Sequence, residues 1–202
     1  LGRFYYFCPK YIHMYKQTTP LILASKSPRR QELMQLMGLD FKVLLKDVDE
    51  SYPEHLSPDA IACYISEKKA MAFVEERLTS LVITADTIVA YNGEILGKPA
   101  DALHAKVMLE KLSGTSHQVY TGVSLAYKDK LKTFFDQTEV RFRTLSTAEI
   151  EHYIHHYNPL DKAGSYGIQD WLGFIAVERI EGSYTNVMGL PTEKLYLELS
   201  NF

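Results

Sequence analysis

An α/β fold, an elongated mixed β-sheet flanked by helices around a central substrate cleft, is predicted by three observations. Short apolar runs alternate with helix-start signals, Asn92-Gly93 marks a tight hairpin, and two long strand-like runs flank Lys128-Asp129-Lys130. In order, Leu21-Ile22-Leu23-Ala24 reads as a short buried strand, and Ser27-Pro28 supplies an N-cap and a first-turn proline. Leu33, Leu36 and Met37 are expected on one helical face before Gly38 closes that helix. Residues 41–48 read as a second strand ending in Asp49-Glu50. Ser57-Pro58 then opens a helix running to about Leu78. Residues 81–85 and 87–91 form one continued strand up to the type I′ turn at Asn92-Gly93. A helix spans 101–112 and stops at Ser113-Gly114; long strands cover 119–127 and 131–143. Ser146 with Glu149 makes a capping box for a helix that ends before Pro159. The remainder reads as glycine-punctuated strand, then a C-terminal helix from Pro191 or Thr192.

Composition narrows the function classes. With 202 residues, the chain suits one ordinary domain or one elongated two-lobed unit rather than two independent modules. A net charge of −3 argues against a broad basic surface that coats nucleic acid. Hydrophobic residues at 46% and charged residues at 23% belong to a packed chain, not a disordered one. Cys8 and Cys63 form neither a CxxC pair nor a disulfide framework, which favours a reducing, cytoplasmic setting. No apolar run approaches the ~18 residues of a membrane span. Residues 1–13 are aromatic and lack the apolar core of a signal peptide, so they read as an extension introduced by cloning or read from upstream. Met14 reads as the natural start of a single unit, 14–202, with two lobes about a cleft.

Several residues could carry chemistry. Ser25-Lys26-Ser27-Pro28-Arg29-Arg30 sits between a buried strand and a helix start, where free N–H groups and forked guanidinium donors suit a phosphate. A capped helix with solvated basic residues is the plain alternative. The glycines and Lys-Ser/Thr pair of a Walker P-loop are absent. Asp86 lies inside an apolar run, where a carboxylate is costly unless paired, metal-bound or titrated. It is either a satisfied structural aspartate or a general base or metal ligand facing a cleft. Lys69 falls on the same helical face as Ile61, Ala62, Ile65, Ala72 and Phe73, so it either snorkels to the rim or reaches a phosphate. Lys98, in Gly97-Lys98-Pro99, and Glu50, in an acidic turn, are weaker signals. Residues 161–169 combine small residues with Gln169, whose amide offers both donor and acceptor. His152, His155 and His156 share a helical face but lack an HExxH arrangement, so a solvated face is preferred over zinc. Cations around an anion, one or two carboxylates and an amide reader form the inventory for metal-assisted cleavage of a nucleotide phosphoanhydride.

Ser25-x-Ser27-Pro28-Arg29-Arg30, Glu67-Lys68-Lys69-Ala70, Ala85-Asp86-Thr87, Gly97-Lys98-Pro99, Leu112-Ser113-Gly114, the 161–169 segment, Gly182-Ser183-Tyr184 and Gly189-Leu190-Pro191 together resemble the Maf family, from about Pro20 to Phe202. The resemblance implies a Maf/ITPase-like fold and a house-cleaning nucleoside triphosphate pyrophosphatase, historically tied to septum formation. Such an enzyme releases a nucleoside monophosphate and pyrophosphate with a divalent cation, Mg²⁺ or Mn²⁺. By that resemblance Asp86 is the proton acceptor, and Glu50 joins it in holding metal or water. Ser25, Arg29, Arg30, Lys69 and Lys98 bind phosphates, while Arg29, Thr87 and Gln169 match the dTTP/UTP-preferring branch rather than the branch resembling 7-methyl-GTP pyrophosphatases. The family usually runs from Ile-Gln into glycine, whereas Asp170-Trp171 follow here, and Trp171 either stacks near the pocket or packs under it. A nucleotide-binding regulator of cell division and a nucleic-acid-binding module are the alternatives, the second disfavoured by the acidic net charge. The expected partner is a nucleoside triphosphate, with no stable nucleic-acid or membrane binding and room for a homodimer.

Overall fold

The computed structural model describes residues 15–202, so the predicted extension 1–13 lies outside the described residues. β1 (Leu21–Leu23) pairs in parallel with β2 (Phe41–Val43) on one side and with β3 (Leu81–Tyr91) on the other. The opposite edge of β3 runs antiparallel to β5 (Ser116–Tyr127), while β4 (Glu94–Leu96) folds back on its far end. β6 (Lys130–Phe142) and β7 (Val177–Glu181) complete the mixed sheet in the order β2-β1-β3-β5-β6-β7, with β4 on β3. The turn between β3 and β4 places Asn92 at φ 49° and Gly93 at φ 82°, the left-handed pair that a type I′ hairpin requires.

Side chains alternate along β3 and divide the core between two faces. Leu81, Ile83, Ala85 and Val89 join the larger cluster, and Val82 and Ile88 face the other way. That second face is covered by α2 (Pro58–Met71), which buries Ile61, Ala62, Ile65 and Ala70. Gly122 of β5 lies directly under it, where a Cβ would stand 2.3 Å from the Ala62 backbone. The close approach holds α2 flat on the sheet and aims its last turn at the middle of β3.

The larger cluster gathers α1 (Pro28–Leu36), α3 (Ala102–Leu112), α4 (Thr147–Tyr157), α5 (Trp171–Ala176), α6 (Tyr184–Met188) and α7 (Thr192–Asn201). Local caps start several of them. Ser27 accepts from the Arg30 N–H, Asp101 from His104, and Ser146 and Glu149 close the predicted capping box.

Four predicted elements differ. Leu36 is 76% exposed, whereas Leu33 and Met34 are buried. At ~100° per residue, Leu33, Met34 and Met37 form the stripe and Leu36 falls off it. The second strand stops at Val43 rather than reaching 48, because β1 offers it only three residues before turning into α1. The helix from Pro58 ends at Met71, and a separate 3₁₀ turn occupies Glu76–Leu78, with Phe73 buried between them. Finally, the predicted glycine-punctuated strand contains two short α-helices and two 3₁₀ turns, with β7 its single strand among the described residues.

Candidate active site

The sheet leaves a gap. β1 accompanies β3 only through Leu23 opposite Ile83, with one more bond from the Ala24 N–H to the Ile83 carbonyl at 2.9 Å. β4 takes up the same edge only at Val89. Between them Ala85, Asp86, Thr87 and Ile88 have no strand on that edge, and a cleft of about 800 Å³ opens there. This lies within the range of small-molecule sites, and beyond the carboxyl ends of parallel strands, where such sites form in open α/β sheets. The chain leaving β1 delivers Ser25, Arg29 and Arg30, the chain leaving β2 delivers Glu50, and the chain leaving β4 delivers Lys98. α2 brings Lys69, β3 brings Asp86 and Thr87, and the 161–169 segment brings Gln169. All of these sequence-predicted residues line the one cleft.

The side facing α2 is ionic. Lys69 Nζ donates to Asp86 Oδ1 at 2.7 Å and pairs with Glu50 Oε1 at 2.8 Å. Their side chains remain 17%, 14% and 49% exposed, so the trio is open to exchange with a ligand. Burial pushes the Glu50 carboxyl up, but the Lys69 hydrogen bond and charge, aided by Lys98 and Arg30, bring it below its ordinary value. Around the whole cleft, seven Lys and Arg side chains face four carboxylates. A chain of net charge −3 therefore concentrates cations here.

The opposite side of β3 is hydrogen-bonded. Arg30 donates from Nη1 to the Ala85 carbonyl at 2.8 Å and from Nη2 to Thr87 Oγ1 at 2.9 Å. Its Nε donates to the Gly189 carbonyl at 2.7 Å, and Nη1 also reaches Ser25 Oγ at 3.3 Å. The guanidinium stands where a strand would otherwise pair with Ala85. Burial lowers its pKa from the ordinary value, opposed by the charges of Asp86 and Glu50. Thr87 shares a hydroxyl contact with Thr121 at 2.9 Å, and Thr121 donates to the Asn186 carbonyl at 3.0 Å. Farther along the cleft, Arg29 pairs with Asp161 at 3.2 Å. Gln169 has its amide oxygen buried without a protein partner.

Residues 20–202 match the family described as Maf-like protein. The chain belongs to the Maf family. A dTTP/UTP pyrophosphatase of Bacteroides fragilis is 52% identical over 89% of this chain and 94% of its own length. Proteins of the same name from Cytophaga hutchinsonii and Bacillus cereus are 46% and 47% identical, each over 90% of this chain and over 83% and 95% of their own lengths. The solved structure of the Staphylococcus aureus Ham1 protein is similar with a TM-score of 0.47 and 17% identity, over 89% of this chain and 100% of that one.

Asp161 and Lys162 are cleft residues to which the sequence alone gave no individual role. Asp161 links Arg29 to Lys162, whose ammonium lies 2.9 Å from its other oxygen. Burial raises the Asp161 carboxyl, while Lys162 and Arg29 outweigh that and hold it low. The adjacent acid and cation were visible in sequence, but a partner 132 positions away was not. Trp171 is not part of the cleft wall. Its ring lies 4.9 Å from His152 and stacks near Tyr157 on the flank of α4. His156 contacts both His152 and His155 there, and among the described residues no group of three or more His, Cys, Asp or Glu side chains is arranged to hold a metal.

Proposed function

We propose that this member of the Maf family hydrolyses dTTP and UTP, and modified pyrimidine nucleotides of the same shape, to the nucleoside monophosphate and pyrophosphate. The observation that carries the reading is Lys69 held between Asp86 and Glu50 at the uncovered edge of β3. A reactive carboxylate, a second acid and surplus cations suit a triphosphate and a water better than any neutral substrate. The names of relatives 46–52% identical over most of the chain support the pyrimidine assignment.

The donor set fits a divalent cation that shares its coordination with substrate and water. Asp86 and Glu50 present hard carboxylate oxygens, and Mg²⁺ is commonly held by one or two carboxylates plus phosphates rather than by a protein cage. When bound there, Mg²⁺ or Mn²⁺ supplies charge neutralisation for the triphosphate. The chain's own residues do the rest. Asp86 accepts a proton from water positioned against the α-phosphorus, and the water oxygen forms the new P–O bond. The bond from the α-phosphorus to its bridging oxygen breaks, and pyrophosphate leaves with that electron pair. Arg29, Lys98 and Lys69 offset charge on the phosphates, with Ser25 beside them, and Arg30 holds the edge on which Asp86 stands. Thr87 and Gln169 face the nucleoside.

The same proposal takes residues 14–202 as one functional unit with lobes on either side of the gap. It places that unit in the cytoplasm, in keeping with cysteines that lack disulfide spacing. A net charge of −3 weighs against stable nucleic-acid binding. Among the described residues no helix is long and apolar enough to cross a membrane. The test is a panel of canonical and modified triphosphates with Mg²⁺ or Mn²⁺, phosphate being detected with and without added inorganic pyrophosphatase. UTP and dTTP should give signal only when pyrophosphatase is present. No hydrolysis with either metal, or orthophosphate released directly, would overturn the assignment.

A further inference from the structure

The turn that carries Gln169 is held by the residue that follows it, Asp170. Asp170 occupies the N-cap position of α5, yet its side chain makes no cap bond. The carboxylate turns instead toward α4, where Oδ2 accepts from the Tyr153 hydroxyl at 2.8 Å. The Tyr153 oxygen in turn accepts from the Gly167 N–H at 3.0 Å, and the Asp170 N–H closes the turn onto the Gly167 carbonyl at 3.0 Å. Lys162 Nζ lies 3.5 Å from the same Oδ2. Gly167 leaves just enough room, because a Cβ there would stand 2.5 Å from that carboxylate oxygen. Tyr153 itself is fully buried. Burial, and then the neighbouring Asp170 charge, raise its pKa, so the hydroxyl keeps the proton it donates.

We infer that Asp170, acting through Tyr153, is a positioning residue for pyrimidine selectivity: it holds the Gly167–Asp170 turn, the backbone from which Gln169 reaches the cleft, so that the Gln169 amide meets the base from one direction. This rests on the pyrophosphatase reading above. Uracil and thymine offer an N3–H donor beside the O4 acceptor, whereas cytosine offers an N3 acceptor beside its N4 amine donor. A glutamine amide can meet either edge by turning over, because it carries one acceptor and one donor group. An amide carried on a held backbone meets the base at one depth and angle, which favours one of these edges over the other. Gln169 lines the cleft and its Oε1 has no hydrogen-bond partner within the protein, so an N3–H brought against it would meet an unused acceptor. Asp161, shared by Arg29 and Lys162, extends the same ladder across the cleft to the start of α1.

The experiment compares kcat/KM for UTP and CTP, with Mg²⁺, in the wild type and in Asp170→Ala, Tyr153→Phe and Asp170→Asn. Loosening the turn should lower the UTP:CTP ratio about tenfold in Asp170→Ala and Tyr153→Phe, with the CTP value rising. Asp170→Asn retains an oxygen acceptor for the Tyr153 hydroxyl and should keep most of the ratio. General damage to the fold would lower both substrates together and leave the ratio in place. An unchanged ratio in both disruptive variants, with an active wild type, overturns the inference alone. So does Asp170→Asn relaxing as far as Asp170→Ala. A wild type inactive on UTP overturns the underlying reading and this inference with it.

Discussion

On the α2 side of β3, Asp86, Lys69 and Glu50 form a charged trio that borders the cleft, with Glu50 half exposed and the other two largely buried. On the other side, one residue along the strand, Thr87 belongs to a chain of hydrogen bonds running from Arg30 through Thr121 to the buried Asn186. Asn186 continues that chain by donating to the Val119 carbonyl and to Thr138. The two sides are reached from one strand because consecutive side chains point to opposite faces. Lys69 has two carboxylate partners at the cleft edge, so it can trade one of them for an incoming anion and remain paired. Satisfied buried hydrogen bonds are costly to break and therefore hold shape. On the function proposed above, chemistry falls to the side of Asp86 and recognition to the side of Thr87.

The largest expected effect lies on the side of Asp86. Asp86→Asn should lower kcat about 10³-fold, because the proton acceptor disappears. Its thermal midpoint should stay within a few degrees of the wild type, measured by circular dichroism beside steady-state turnover. An equal collapse of both quantities would erase the contrast between the two sides.

The second test uses His117, which sits under the recognition segment with Nε2 2.7 Å from the Tyr166 hydroxyl. Burial pushes this imidazole down to about 4 from its ordinary 6.5. Below pH 6.5 the unfolded chain binds a proton that the folded protein refuses until about pH 4. The contribution is whole above pH 6.5 and is lost as pH falls through that window, on the order of 3 kcal/mol in all. Denaturant melts at a series of pH values should show this loss, and His117→Gln should flatten it. A wild type equally stable at pH 4.5 and 7 would contradict the buried neutral state.

Arg30→Lys keeps the charge but removes the fork that binds Ala85, Thr87 and Gly189. It should cost about 2 kcal/mol of stability in urea unfolding, since hydrogen bonds to charged groups are worth about that much. A variant of wild-type stability with weakened UTP binding would make Arg30 chiefly a phosphate ligand. Gln169→Ala is the mildest change. It should alter preference among bases about tenfold and touch kcat on UTP far less, as read by a competition assay. An unchanged substrate profile removes Gln169 from recognition.

What the sequence made legible follows from how local each determinant is. The caps at Ser27 and Ser146 and the Asn92-Gly93 turn act within four residues, and they stand where their residue types predict. Asp86 and Lys69 were legible as charged residues on apolar faces, although nothing local said that each would neutralise the other. β2 was overextended because its length is set by β1, a partner the local pattern does not contain. The same holds for α5. Asp170-Trp171 looks like an interruption of a strand until Tyr153 and His152 on α4 supply contacts for the carboxylate and the indole. Asp161 was hidden for the reason most sites are: its partner Arg29 is distant in sequence and adjacent in space.

The central claim is that the charged side of the β3 gap directs water to the α-phosphorus of a pyrimidine triphosphate. Hydrolysis of UTP in ¹⁸O-labelled water, followed by mass spectrometry of both products, tests it most directly. One labelled oxygen should appear in UMP and none in pyrophosphate. Label in pyrophosphate, or labelled orthophosphate beside UDP, would contradict the account.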